Sequence, residues 1–229
     1  MNLSIVDPLE ELKREYQESA AYHEAAHEVV CIAQKIPVRE SGFRIDSKGN
    51  GVSHIYRRNA GDPKNTKDDV REREESIILL FAGYWGQVRI FPHMGYAAIA
   101  KDESQIDELL DEMYPHKSSD WYAAKNRLRD ESERLVAENW PAIDALAKGL
   151  WSKPWKPQGQ VPPVDAGWSD DTVEKSMGSR EVEAILTPFG LSPTVMPESA
   201  GSYVRRATVA AAEEGSKKTS GPSVMAEKF

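Results

Sequence analysis

The stretch YHEAAHEVV at residues 22–30 decides the fold of this chain. It contains HEAAH, in which His23 and His27 lie one helical turn apart. Two imidazoles at this spacing point the same way from a helix and can hold one metal ion, while Glu24 between them can take a proton from water at the metal. The pattern therefore predicts a Zn²⁺ site with Glu24 as its general base, which is typical of enzymes that hydrolyse peptide bonds.

The residues around the motif predict a long helix that carries both histidines inward. Asp7, Pro8 and Glu10 supply an N-cap, a proline at the first helical position and a capping-box partner, and no glycine or proline follows until Pro37. The alternative is a chance motif on a solvated helix face. Against it stands an apolar stripe at three- and four-residue spacing that includes both histidines: Leu9, Leu12, Tyr16, Ala20, His23, His27 and Val30.

A β-hairpin is predicted after this helix. Residues 42–46 (GFRID) and 52–56 (VSHIY) have strand character, and Asn50 and Gly51 supply the turn chemistry between them. One expectation is that residues 52–56 form an exposed strand that receives an extended peptide substrate beside the metal. The alternative is an ordinary structural hairpin.

The rest of the chain predicts further helices and two irregular segments. Residues 57–70 suggest an exposed loop, and residues 71–90 a helix in which Gly83 allows close packing. Helical periodicity then continues over residues 120–150, with a break at Pro141. We expect residues 151–178, approximately, to form a Pro- and Trp-rich inserted loop whose tryptophans pack against the domain. A short closing helix is predicted at 180–186, and a largely disordered tail at 187–229.

Composition narrows the class of protein. The formal net charge of −8 argues against a nucleic acid partner, and no run of about 18 apolar residues predicts a membrane span. The single cysteine, Cys31, excludes an internal disulfide framework, so a metal must be held by histidine and carboxylate. The chain also lacks a nucleotide-binding P-loop and a signal-peptide pattern. We therefore expect a soluble, cytoplasmic protein.

Four segments, in order, resemble the peptidase domain of the FtsH family, the M41 zinc metallopeptidases. They are YHEAAHEVV, FRIDSKGNGVSHI, ILLFAGYWGQ and AIAKDESQIDELLDEM, beginning at residues 22, 43, 78 and 98. The resemblance implies a mainly α (α+β), zincin-like metallopeptidase domain over residues 1–186, with a small β-sheet beside the metal helix. It also implies that Asp102 is the third zinc ligand. The residues that depart from the family pattern are Ala26, Tyr84, Gln87, Ala98 and Ile99.

The third ligand remains open when the residues alone are considered. Asp102 lies on the first turn of a predicted helix whose apolar side chains keep helical spacing, so its carboxylate could face a cleft or simply cap the helix. Four other residues offer the same ligand chemistry: Glu103, Asp107, His54 and His93.

These observations favour a stand-alone zinc metalloendopeptidase that acts on protein or peptide substrates and carries neither the ATPase module nor the membrane anchor of the FtsH family. A homo-oligomer and a separate ATPase or adaptor stay open as partners. Three alternatives also remain. They are a zinc-binding interaction module without catalysis, a regulator-cleaving H-E-x-x-H peptidase with a different third ligand, and a helical scaffold without metal.

Overall fold

A computed structural model describes residues 7–56, 67–94, 100–157, 173–197 and 203–208. Within these ranges the chain is mainly helical with one small sheet, which confirms the predicted α+β class. The helices are α1 (Pro8–Ala33), α2 (Lys67–Ile90), α3 (Ala100–Met113), α4 (Ser119–Glu138), α5 (Trp140–Trp151) and α6 (Ser179–Leu186). The strands are β1 (Val38–Asp46), β2 (Gly51–Tyr56), β3 (Lys156–Pro157), β4 (Val173–Met177), β5 (Val195–Met196) and β6 (Tyr203–Thr208).

The central element is α1, which carries the HEAAH motif. Its start is as predicted, because Pro8 is the first helical residue and the Asp7 carboxylate accepts a hydrogen bond from the Leu9 N–H at 2.9 Å. The inward stripe begins later than predicted, since Leu9 and Leu12 are exposed. Residues 19–32 are all buried, so this part of α1 is surrounded by protein on every side.

Helices and sheet pack on α1 from different directions. Its neighbours are α2, α5, β1 and β2, and α2 in turn packs against α3 and α4. The HEAAH motif therefore lies between a helical layer and the sheet. No helix in the described ranges is both long and apolar enough to cross a membrane.

The sheet has the order β3-β4-β1-β2-β6, with β5 joined to β1. Neighbouring strands are antiparallel except for the β1–β5 pair, which is parallel. The predicted hairpin of β1 and β2 is confirmed and Asn50 lies between its strands, but the assignment of Gly51 to the turn was wrong. The positive φ, 79°, falls on Gly49, and Gly51 already belongs to β2. Asp46 closes the turn by accepting from the N–H groups of Lys48 and Asn50, each at 2.8 Å.

Part of the predicted irregular loop at 151–178 forms strands instead. Within the expected loop at 151–178, Trp151 ends α5, and β3 and β4 pair with each other. The Lys175 ammonium lies 4.1 Å from the ring centroid of Trp151 and 4.7 Å from that of Trp155, which supports these two tryptophans as anchors to the domain. Residues 158–172, with Trp168, lie outside the described residues.

The expected disordered tail was wrong at two places. After α6, which confirms the predicted closing helix, β5 pairs with Val38 and Arg39, and β6 pairs with β2 along its whole length. These strands were not predicted because each is held by pairing partners far away in the chain. Residues 198–202 and 209–229 of the predicted tail lie outside the described residues, as do residues 57–66 of the predicted loop; α2 starts within that loop, at Lys67.

Candidate metal centre

Three side chains predicted as metal ligands converge on one point in the structure. His23 Nε2 lies 2.9 Å from His27 Nε2 and 3.1 Å from Asp102 Oδ2. The third side of this triangle, from His27 Nε2 to Asp102 Oδ2, is 3.3 Å. Ligand atoms about 2.0–2.2 Å from a tetrahedral Zn²⁺ are separated by roughly 3.3 Å, so the triangle is the right size for a single ion.

Asp102 reaches the histidines through tertiary packing alone. It lies 79 positions after His23 in the chain, on the first turn of α3. The apolar face of α3, with Ile106, Leu109 and Leu110, is buried and fixes the helix in the core. Asp102 itself is only 2% exposed, which leaves its carboxylate facing the imidazoles instead of solvent.

The described competitors for the third ligand are held elsewhere. Glu103 and Asp107 both pair with the Lys125 ammonium on α4, at 3.4 and 2.7 Å. His93 is largely exposed and contacts Glu15 at 3.3 Å. The side chain of His54 lies outside the described residues. Of the described carboxylates and imidazoles weighed for this role, only Asp102 therefore meets the histidine pair.

The hydrogen bond made by Nδ1 of His27 determines whether its other ring nitrogen, Nε2, carries a hydrogen or a lone pair. Nδ1 of His27 lies 2.5 Å from the backbone carbonyl of Leu79. Because a carbonyl can only accept, Nδ1 must carry the hydrogen, and Nε2 of the neutral ring then presents a lone pair. That lone pair faces the Asp102 carboxylate in a buried space, where two acceptors repel each other unless a proton or a metal cation lies between them.

The pKa shifts of Asp102 and His23 both favour a positive charge between the carboxylate and the imidazoles. Burial alone would raise the pKa of Asp102, but its interactions with the His23 and His27 imidazoles hold that pKa well below its usual range. Burial would likewise lower the pKa of His23, yet its hydrogen bond and attraction to Asp102 raise it. A proton or a cation is thus stabilised between the carboxylate and the imidazoles.

His23 has its own neighbour on α2. The Gln87 side chain is 2% exposed, and its contact with His23 contributes to the raised pKa of that imidazole. Nδ1 of His23 makes no hydrogen bond of good geometry, so the Gln87 contact is a loose one. Outer partners such as Leu79 and Gln87 normally orient ligand histidines, and the sequence alone did not identify either of them.

Glu24 lies beside the two histidines, next to the first residue of β2. It is buried, and its carboxylate oxygen and the ligand nitrogens of His23 and His27 lie within 4.8 Å of one another. On the other side of the carboxylate lies Gly51, the first residue of β2. A Cβ at Gly51 would come 2.2 Å from Glu24 Oε1, so only glycine allows the strand this close to the carboxylate.

A second glycine makes the same kind of contact with the two histidines. Gly83 on α2 lies directly against both imidazoles, because a Cβ there would meet His23 Nε2 at 2.5 Å and His27 Nε2 at 2.6 Å. The sequence predicted close helix packing at Gly83 but not that the packing partners would be His23 and His27. The glycine of the Ala82–Gly83 pair on a long helix was the signal in the sequence that could have indicated this close approach.

One further buried acid lies next to the site. Glu28 follows His27 and accepts a hydrogen bond from the Ser53 hydroxyl on β2 at 2.9 Å. Burial raises the pKa of Glu28 to about 7, and the Ser53 hydroxyl offsets part of that rise. The sequence-based prediction did not single out Glu28, since only the packing of α1 on β2 removes it from solvent.

Comparisons with known proteins leave the family unassigned. No protein-family model matches the chain, and no curated protein matches it. Membership of the FtsH family therefore stays a prediction that rests on the quoted segments.

Proposed function

We propose that this protein is a zinc-dependent metalloendopeptidase whose metal ligands are His23, His27 and Asp102 and whose general base is Glu24. The observation that carries the proposal is the triangle of His23 Nε2, His27 Nε2 and Asp102 Oδ2, with sides of 2.9 to 3.3 Å. Two neutral imidazoles and one carboxylate are a donor set that suits Zn²⁺ and leaves its fourth position open.

The residues divide the chemistry between them. Zn²⁺ bound at this site would polarise a peptide carbonyl and make water more acidic. Glu24 accepts a proton from the attacking water and returns it to the nitrogen of the leaving amine, so that the C–N bond breaks without releasing an amide anion. The Leu79 carbonyl keeps the hydrogen of His27 on Nδ1 and thereby leaves Nε2 as the ligand atom.

Glu24→Gln separates the base from the metal site. The variant should keep zinc at one ion per chain, measured by elemental analysis, and should lose hydrolysis of an unfolded protein substrate by at least 10²-fold, since general bases contribute about 10²–10⁴-fold. Hydrolysis at the wild-type rate would refute the role of Glu24.

Asp102→Ala and Glu103→Ala test the third ligand as a matched pair. The Asp102 variant should lose zinc, because a buried carboxylate is removed from the ligand triangle. The Glu103 variant should retain zinc, because Glu103 pairs with Lys125. Equal zinc content in the two variants would rule out Asp102 as a ligand and favour a different H-E-x-x-H class. If the wild-type protein, purified without chelator, holds no zinc, the metal-free scaffold is the better description.

A zinc-binding module without catalysis is the second candidate, and one observation favours it. Both edges of β2 are already paired, one with β1 and the other with β6, so no free edge of this strand is open to a peptide. This candidate predicts stoichiometric zinc and no hydrolysis even after β6 has been displaced.

A further inference from the structure

The last described strand, β6, occupies the edge of β2 next to the candidate site. All six residues of β2 are paired with it in antiparallel register, from Gly51 opposite Thr208 to Tyr56 opposite Tyr203. The two strands lie far apart in the sequence, so β6 is a late segment of the chain laid along an early hairpin. An incoming extended peptide would need the same backbone groups of β2.

The register brings β6 to the Glu24 end of β2. Gly51 touches the Glu24 carboxylate, and Thr208 is the residue directly opposite Gly51. Because paired strands lie about 4.8 Å apart, the backbone at Thr208 passes one strand spacing from the residue that contacts the candidate base. A segment in this position follows the path that a peptide added to β2 would take.

β6 is held differently from the other long strands. β1 packs against α1 and α6, and β2 packs against α1, whereas the principal contacts of β6 are with β2. The chain is anchored before β6, where Val195 pairs with Val38 and the Pro197 carbonyl accepts a hydrogen bond from the Arg39 guanidinium at 2.7 Å. Release of β6 would therefore expose the edge of β2 and leave the described core in place.

We propose that residues 203–208 are an intramolecular strand that competes with extended peptides for the edge of β2 and so keeps the site closed. The occupant is this segment of the chain itself, and the displaced ligand is a polypeptide in extended conformation. The effect on hydrolysis rests on the proposed peptidase function, but the competition for β2 does not.

A paired substitution in the full chain tests the competition. In an antiparallel pair, alternate residues direct their N–H groups to the neighbouring strand, so Arg205→Pro together with Arg206→Pro removes a ladder bond whichever residue donates it. Ala211→Pro together with Ala212→Pro introduces two prolines outside β6 and serves as the control, and Arg205→Ala together with Arg206→Ala shows the effect of removing the two charges without proline. All versions carry Glu24→Gln, so that bound peptide is not consumed.

Two measurements decide the outcome. Amide hydrogen exchange of residues 51–56 should become faster in the Arg205/Arg206 variant only. A fluorescent peptide with the sequence GSYVRRATVA, residues 201–210 of the chain, should bind that variant at least tenfold more tightly than the control. Unchanged exchange, or equal peptide affinity in variant and control, overturns the proposal.

A disulfide between β2 and β6 gives a second test, which does not depend on whether the proline variant folds. His54→Cys with Arg205→Cys places two cysteines at directly opposite positions of β2 and β6, within the Cα separation that a disulfide can span. Oxidation should abolish binding of the peptide, and reduction should restore it. Equal binding in both states overturns the proposal.

Hydrolysis in versions that retain Glu24 keeps the two proposals apart. If the proline variant binds the peptide more tightly but cleaves nothing, the competition stands and the peptidase function fails. If control and variant bind the peptide equally and hydrolyse an unfolded protein equally, the peptidase function stands and the competition fails.

Discussion

Substitution of Gly83 by alanine gives the sharpest test of the metal centre. The added methyl group would lie 2.5 Å from His23 Nε2 and 2.6 Å from His27 Nε2, about 1 Å inside ordinary van der Waals contact. Because α2 packs against α1 at Gly83, the methyl group must push the imidazoles away from Asp102 or separate the two helices. Either movement enlarges the ligand triangle.

Two effects of opposite sign determine the stability of this variant. Alanine favours the helix over glycine by about 1 kcal/mol, whereas overpacking in a core costs about 1–3 kcal/mol. The net loss in free energy of unfolding of the metal-free protein is therefore small, about 0–2 kcal/mol. Zinc affinity should fall further, by about 10–100-fold, as is typical when the groups that orient metal ligands are disturbed.

Two other helical glycines provide matched controls. At Gly86 a methyl group would meet Ala26 Cβ at 2.5 Å and the Tyr22 carbonyl oxygen at 2.7 Å, so Gly86→Ala should lower stability with less effect on zinc. Gly149→Ala would meet only the ends of two flexible side chains and should be neutral or stabilising by up to about 1 kcal/mol.

The assay combines urea unfolding of the metal-free proteins with competition for zinc against a chromophoric chelator. The expected order of zinc affinity is wild type and Gly149→Ala first, then Gly86→Ala, then Gly83→Ala. Should Gly83→Ala bind zinc as tightly as the wild type, the imidazoles at Gly83 are not the metal ligands, and the proposed centre is wrong.

Three further predictions follow from groups around the centre. The pKa of Glu28, raised to about 7, means that the folded state holds a proton that the unfolded state loses near pH 4.5, so stability falls as pH rises between these values. Glu28→Gln should abolish this fall, which is worth about 3 kcal/mol, in urea unfolding with chelator at pH 4.5 and 8. Ser53→Ala should extend the fall to higher pH, because the Ser53 hydroxyl lowers the pKa of Glu28 in the folded state. A wild-type slope in the Gln variant would contradict the assignment. Gly51→Ala would place a methyl group 2.2 Å from Glu24 Oε1 and should slow hydrolysis by about 10²-fold while zinc content is unchanged; a normal rate would separate Glu24 from catalysis. Because zinc must displace the proton that the raised pKa of His23 retains, zinc affinity should fall by about tenfold per pH unit below that pKa, and a flat titration would exclude His23 as a ligand.

The outline of the fold could be predicted wherever local sequence determined it. Asp7 and Pro8 fix the start of α1, and alternating residues with a glycine turn produce the β1–β2 hairpin. The strands β4, β5 and β6 escaped prediction because their pairing partners are distant, and a short polar segment becomes a strand only when an edge is available to it. The same limit applied to Glu28, whose raised pKa depends on burial against β2.

The candidate site shows the same division between local and distant determinants. The sequence by itself determined the pair of histidines and the acid between them, because positions 23 and 27 share a helix face for any chain that is helical there. Only the tertiary structure brought Asp102 and not Glu103 to the histidine pair, placed Gly83 against the histidines and Gly51 against Glu24, and paired β6 with the edge of β2. These choices depend on how α2, α3 and the sheet pack around α1, and that packing joins residues whose separation in the chain carries no local signal.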